Sequence, residues 1–256
     1  MERRAALFGL AASILVIISA LVRLSLESAM MSAMPGMQTM SMTDTAMNTQ
    51  WGFALRLELG AAIVALVSFF LAARRLRGLW LIGSISALVL AVTPALAGHA
   101  AASPRFTSLM IITDFLHVLG GASWLGSLCA VMVVGVPLAL TLDGAERWSS
   151  VASLVNSFSP VAMGSVAIVA VSGLIASWVH LTHLSALWLT AYGQVLLLKL
   201  AIVAITLAIG AYNFRRVQPQ LVNEGGATLL RRSAILELSF GLLILIATGF
   251  LTGISP

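Results

Sequence analysis

Long apolar runs alternate with short polar connections along almost the whole chain. The runs fall at about 5–23, 52–73, 79–98, 108–138, 158–181, 191–213 and 233–252. A helix rises 1.5 Å per residue, so about 20 apolar residues cross a hydrocarbon core. The bilayer offers no partner to a free backbone amide, so runs of this length must be helices. The pattern predicts an all-α bundle of about seven membrane spans, one transmembrane domain over residues 1–256. The fourth run is longer than a span needs, and Gly135 and Pro137 mark its frayed or kinked end. Gly120, Gly121, Gly126 and Gly173 predict places where helices approach closely.

Composition agrees with this pattern. Hydrophobic residues make up 60% of the chain and charged residues 9%, against roughly 25% charged in soluble domains. The formal net charge of +5 comes from 14 Lys and Arg against 9 Asp and Glu. The basic residues sit in short clusters between apolar runs, without the interleaved aromatics that would hold a nucleic acid. Cys129 is the single cysteine, which excludes an intrachain disulfide and a cysteine metal framework.

Charge placement also predicts orientation. Arg3, Arg4, Arg74, Arg75, Arg77, Arg147, Arg215, Arg216, Arg231 and Arg232 fall on alternate connections; Arg23, Arg56 and Arg105 fall on the others. The positive-inside rule puts the N-terminus in the cytoplasm and the C-terminus outside. In a bacterium this is a multi-pass protein of the inner membrane, whose first partner is the lipid bilayer. The opening Met1-Glu2-Arg3-Arg4 followed by Ala5–Val22 is partly like a signal peptide. The apolar stretch is long for one and Arg23 follows it, so it reads as an uncleaved first helix.

The longest external connection, residues 24–50, holds Met30, Met31, Met34, Met37, Met40, Met42 and Met47, seven of the chain's 11 methionines. Thioether sulfur is a soft ligand that selects Cu(I) and carries no proton to displace. An amphipathic segment lying on the membrane would also use methionine. The spacing holds no strict helical period, and Pro35-Gly36 interrupts it. The stretch therefore reads as a flexible copper-gathering loop.

Ionisable side chains in membrane helices are costly and by default functional. The second span holds Glu58, the fourth Asp114 and His117, the sixth Lys199 and the seventh Glu237. At 100° per residue, Met110, Asp114, His117, Gly121 and Trp124 occupy a stripe about 80° wide. A sulfur, a carboxylate and an imidazole on one face make a metal ladder; a hydrogen bond or ion pair of Asp114 is the plainer alternative. His99, His180 and His183 cluster on the external side, above His117, either as ligands or as polar anchors at the interface. Glu58 and Lys199 read as counter-charges across the bundle or as sites for a proton or cation. Glu237 reads as a partner of Arg231 or Arg232. Met132 and Met163 lie in the inner half, as later soft stations or as packing. Trp51, Trp80, Trp178 and Trp188 sit at span ends, where interfacial aromatics belong.

The chain holds no nucleophile–base pair, no phosphate-cradling glycine loop and no HExxH, so an enzyme is not expected. No connection is long enough for an ATPase. Transport by this chain alone would be passive, or coupled to an ion or a partner. Two other functions stay open: a haem-binding redox protein with His117 as one axial ligand, and a copper sensor or assembly partner that moves no metal.

Several segments resemble a known family. Asp114-Phe115-Leu116-His117 leading to Trp124-Leu125-Gly126 is similar to the D-x-x-H…W-x-G signature of the copper resistance protein D (CopD) family. Phe158-Ser159-Pro160 leading to Ser172-Gly173-Leu174 resembles its next helix. Thr190-Ala191-Tyr192-Gly193, then Lys199, then Asn213, resembles its T-x-Y-G…K…N pattern, and Leu251-Thr252-Gly253-Ile254-Ser255-Pro256 its ending. The resemblance runs from about residue 90 to the end and leaves out the methionine stretch. It implies copper movement across the inner membrane, often beside a periplasmic copper-binding protein of the CopC type. It makes Asp114, His117 and His99 copper-site candidates, with Trp124, Tyr192, Lys199 and Asn213 as structural or gating residues. The resulting expectation is uptake of Cu(I) from the periplasmic side through a His/Asp/Met site.

Overall fold

The computed structural model describes residues 2–33, 41–76, 78–98, 106–180, 183–218 and 224–253. Seven of its helices are long and apolar enough to cross a membrane: Glu2–Ser32, Gln50–Ala72, Leu79–Ala97, Thr107–Ala139, Glu146–Val179, Ala191–Val217 and Leu229–Gly253. The chain is a multi-pass membrane protein. It forms two compact units, Met1–Leu119 and Gly120–Pro256.

In the first unit α1 spans Glu2–Ser32, α2 Met42–Asn48, α3 Gln50–Ala72 and α4 Leu79–Ala97. The side chains are sorted by size rather than by polarity. Ala6, Ala20, Ala54, Ala62, Ala65, Ala91 and Ala95 are buried, while Leu15, Phe53, Phe70 and Leu81 are exposed. This is the arrangement of helices solvated by lipid, in which small residues let backbones meet and large apolar ones face the tails. Phe69 of α3 shows how tight the fit is. Its ring fills the space beside Gly9 of α1 and Gly83 of α4, where an added Cβ would lie 2.8 and 2.9 Å from ring carbons. Trp80 meets the same ring edge-on, with centroids 5.7 Å apart.

Helix α5, Thr107–Ala130, continues through a π-helical turn, Val131–Gly135, into α6, Val136–Ala139. Pro137 stands in the first turn of α6. Proline has no N–H to return to the preceding turn, and the change of hydrogen-bond register occurs just before it. The irregular end expected at Gly135 and Pro137 is this turn.

In the second unit α7 spans Gly144–His180, α8 Ala186–Leu189, α9 Ala191–Tyr212 and α10 Glu224–Gly253, with a second π-helical turn at Asn213–Val217. Ala139, Val151, Val155 and Val217 form a small apolar core. Gly120 lies close against α7, where a Cβ would sit 2.9 Å from Val169 and 3.1 Å from the Ser165 carbonyl. Gly121 and Gly126 have nothing within 4 Å of the corresponding position. Of these three, the expected close approach belongs to Gly120.

Candidate metal site on the fourth membrane helix

Met110, Asp114 and His117 lie on one uninterrupted helix, α5. Their spacing of i, i+4 and i+7 stacks them on one face over about 10 Å. Met110 is 2% exposed and Thr113, next to Asp114, 3%. Asp114, His117 and Trp124 are half-buried. A thioether, a carboxylate and an imidazole thus follow one another along a partly buried stripe. The first two ligand types differ in hardness, and imidazole suits copper in either oxidation state.

Both described ends of the methionine stretch are helical. Helix α1 runs to Ser32 and carries Met30 and Met31 on its last turns; Met42 and Met47 belong to α2. Met30, Met42 and Met47 are exposed, and Met34, Met37 and Met40 lie outside the described residues. A capping box opens α2: the Ser41 hydroxyl accepts from the Asp44 N–H at 3.1 Å, and the Asp44 carboxylate accepts from the Ser41 N–H at 3.1 Å. The Ser41 side chain first, and its backbone N–H second, hold the Asp44 carboxyl below its ordinary 3.8. Arg56 of α3 donates to the Ala46 carbonyl and lies 3.8 Å from the Met47 sulfur, tying α2 to the span that follows it.

The remaining candidates divide. Glu58 is ion-paired with Arg23 of α1, so its charge is met inside the first unit. Glu237 is 6% exposed and accepts a hydrogen bond from Asn213 rather than from Arg231 or Arg232. His183 is exposed just before α8 and His180 closes α7; His99 lies outside the described residues. Met132 is half-buried in the first π-turn, and Met163 is 58% exposed on α7. Tyr192 and Lys199 are half-buried on α9. Among the described residues no three His, Cys, Asp or Glu side chains gather into one cluster.

The Thr190–Gly193 motif has a structural explanation. Thr190 caps α9, accepting from the Gly193 N–H at 3.0 Å and donating to the Ala186 carbonyl at 2.8 Å. A Cβ on Gly193 would collide with the backbone of Ala186 and Leu187. The same wiring occurs at Thr49-Gln50-Trp51-Gly52. Thr49 accepts from Gly52 at 2.8 Å and donates to Thr45 at 2.6 Å, and a Cβ on Gly52 would meet the Thr45 and Ala46 carbonyls. Nine residues beyond each threonine stands an ionisable residue, Glu58 or Lys199, and 25 beyond it an arginine pair begins, Arg74-Arg75 or Arg215-Arg216. The shared T-x-aromatic-G spacing was the available signal for this common wiring.

The copper resistance protein D family matches residues 152–251. The chain is similar to that family over this stretch, less than half of its length. Asp114, His117 and Trp124 lie ahead of the matched CopD residues, while Tyr192, Lys199, Asn213 and Glu237 lie within them. The copper transport protein CutJ of Bacillus subtilis (strain 168) is 28% identical over 177 residues, which cover 69% of this chain and 31% of that protein. The chain thus aligns with about a third of the length of that relative. No solved structure matches.

Proposed function

We propose that the chain moves copper across the bacterial inner membrane, inward, as Cu(I). The observation that carries this reading is the stack of Met110, Asp114 and His117 on one face of α5, with the Met110 thioether buried at 2% exposure. A buried thioether beside an imidazole favours a soft monovalent ion over the hard divalent ions that carboxylates alone would attract. The same unit carries the exposed thioethers of Met30, Met42 and Met47. The likeness to the CopD family and to a copper transport protein supports copper as the cargo.

In this account the methionines at positions 30–47 face the periplasm and raise the local concentration of Cu(I). His99 receives the ion, which then passes down α5 from Met110 to Asp114 and His117. A periplasmic copper-binding protein of the CopC type is the proposed donor. Each station is a weak site with few ligands, as a carrier requires, because an ion held too tightly does not leave.

Copper content of cells expressing the chain tests the reading. Wild type raises intracellular copper, and His117→Ala abolishes the rise at equal protein level. Equal accumulation in wild type and His117→Ala would remove the fourth helix from the path.

A further inference from the structure

The arginine pair that ends α3 has a function of its own. Arg3, Leu7, Phe70, Ala73, Arg74 and Arg75 line a cavity of about 450 Å³ between α1 and α3. Three of its six lining residues are arginines. Leu7 and Phe70 supply an exposed apolar floor, and the Arg74 guanidinium lies over the Phe70 ring at 5.1 Å. The site therefore offers positive charge at one edge and hydrocarbon at the other.

Backbone geometry indicates that the arginines are held there at a conformational cost. Helix α3 ends with the Leu76 N–H donating to the Leu71 carbonyl and the Arg75 N–H to the Ala72 carbonyl. This closing turn puts Arg75 at a φ of 74°, in the left-handed region where glycine is the usual residue. A long side chain kept in that conformation is a candidate for function.

Depth fits as well. Arg74 lies 25 residues beyond the Thr49 cap, a helical rise of about 37 Å. That exceeds the hydrocarbon core of about 30 Å and reaches the headgroup layer.

We propose that this cavity binds one anionic phospholipid, its phosphate on Arg3, Arg74 and Arg75 and an acyl chain against Leu7 and Phe70. Guanidinium matches phosphate through paired N–H donors. The apolar floor distinguishes a lipid from a free phosphate ion.

Native mass spectrometry of the full chain in detergent, titrated with phosphatidylglycerol, phosphatidylcholine or inorganic phosphate, tests this. Wild type binds phosphatidylglycerol in preference to phosphatidylcholine, and phosphate does not compete. Each arginine removed weakens the first binding event about fivefold. Arg75→Gly is the informative variant, because glycine accepts the left-handed backbone and the helix end survives. Arg3→Gln/Arg75→Gly binds the lipid about 25-fold more weakly, with an unchanged circular dichroism spectrum. Arg215→Gln/Arg216→Gln removes the same charge from the second unit and leaves the first binding event as in wild type. Four results would overturn the assignment: equal phosphatidylcholine binding, competition by inorganic phosphate, an equal loss in the Arg215/Arg216 variant, or a lipid-free dimer, which would put a second copy on this surface.

Discussion

Asn213 donates a side-chain hydrogen bond to Oε1 of Glu237, joining the π-turn after α9 to α10. Glu237 is 6% exposed, and Gly210 leaves space beside it, since a Cβ there would stand 3.9 Å from the same oxygen. A buried carboxyl needs its hydrogen bonds, because an orphaned one keeps its full desolvation cost. Asn213→Ala is expected to cost about 2 kcal/mol, read as a lowered thermal midpoint in detergent. Glu237→Gln keeps an acceptor for Asn213 without the charge and is expected to cost less. A larger loss for Glu237→Gln than for Asn213→Ala would mean that the carboxylate has a role beyond this bond.

The twin caps at Thr49 and Thr190 make a local prediction. Thr190→Ala removes the acceptor for the Gly193 N–H and should destabilise by about 1 kcal/mol. Gly193→Ala should destabilise more, because its Cβ meets backbone that cannot turn aside. Thr49→Ala and Gly52→Ala should follow the same order. Thermal denaturation of the four variants checks both caps.

Asp44 predicts a pH effect at the methionine segment. The Ser41 hydroxyl and N–H hold its carboxyl below the ordinary 3.8. A lowered folded value means that the cap's contribution is complete above the unfolded value and is lost as pH falls through the lowered one. The start of α2 should therefore stay ordered down to that point and fray below it. In Ser41→Ala the Asp44 titration, followed by NMR, should move up toward 3.8; an unmoved titration would mean that the capping box does not persist in the membrane.

The seven spans were legible because an apolar run of helix length admits one interpretation in a bilayer. Helix ends were less so. Leu24–Ser32 is polar enough to read as a loop, yet it extends α1, since a helix needs no apolar side chains once outside the hydrocarbon. The Met110, Asp114 and His117 face was readable because helical period alone aligns it. Pairings between helices were not. Glu58 read as a counter-charge to Lys199 or as a site for a proton or cation, and it meets Arg23; Glu237 was expected near Arg231 or Arg232 and instead meets Asn213. Such partners are set by how helices rotate against one another. Small residues govern that rotation, as Gly120 packs while Gly121 and Gly126 do not.

The methionines outside the span should act on capture, not on passage. Changing Met30, Met42 and Met47 to leucine keeps the apolar bulk and removes the sulfur. Copper uptake should then need a higher external concentration for half-saturation and reach the same maximum. A lowered maximum with unchanged half-saturation would put these thioethers in the translocation step.

The central claim is that copper passes along the face of α5. Its most direct test is Cu(I) flux into proteoliposomes containing the purified chain, with wild type compared with Met110→Leu, Asp114→Asn and His117→Ala. Wild type should show time-dependent uptake, Met110→Leu and Asp114→Asn a reduced rate, and His117→Ala none above empty liposomes. Undiminished flux in His117→Ala and Met110→Leu would contradict it.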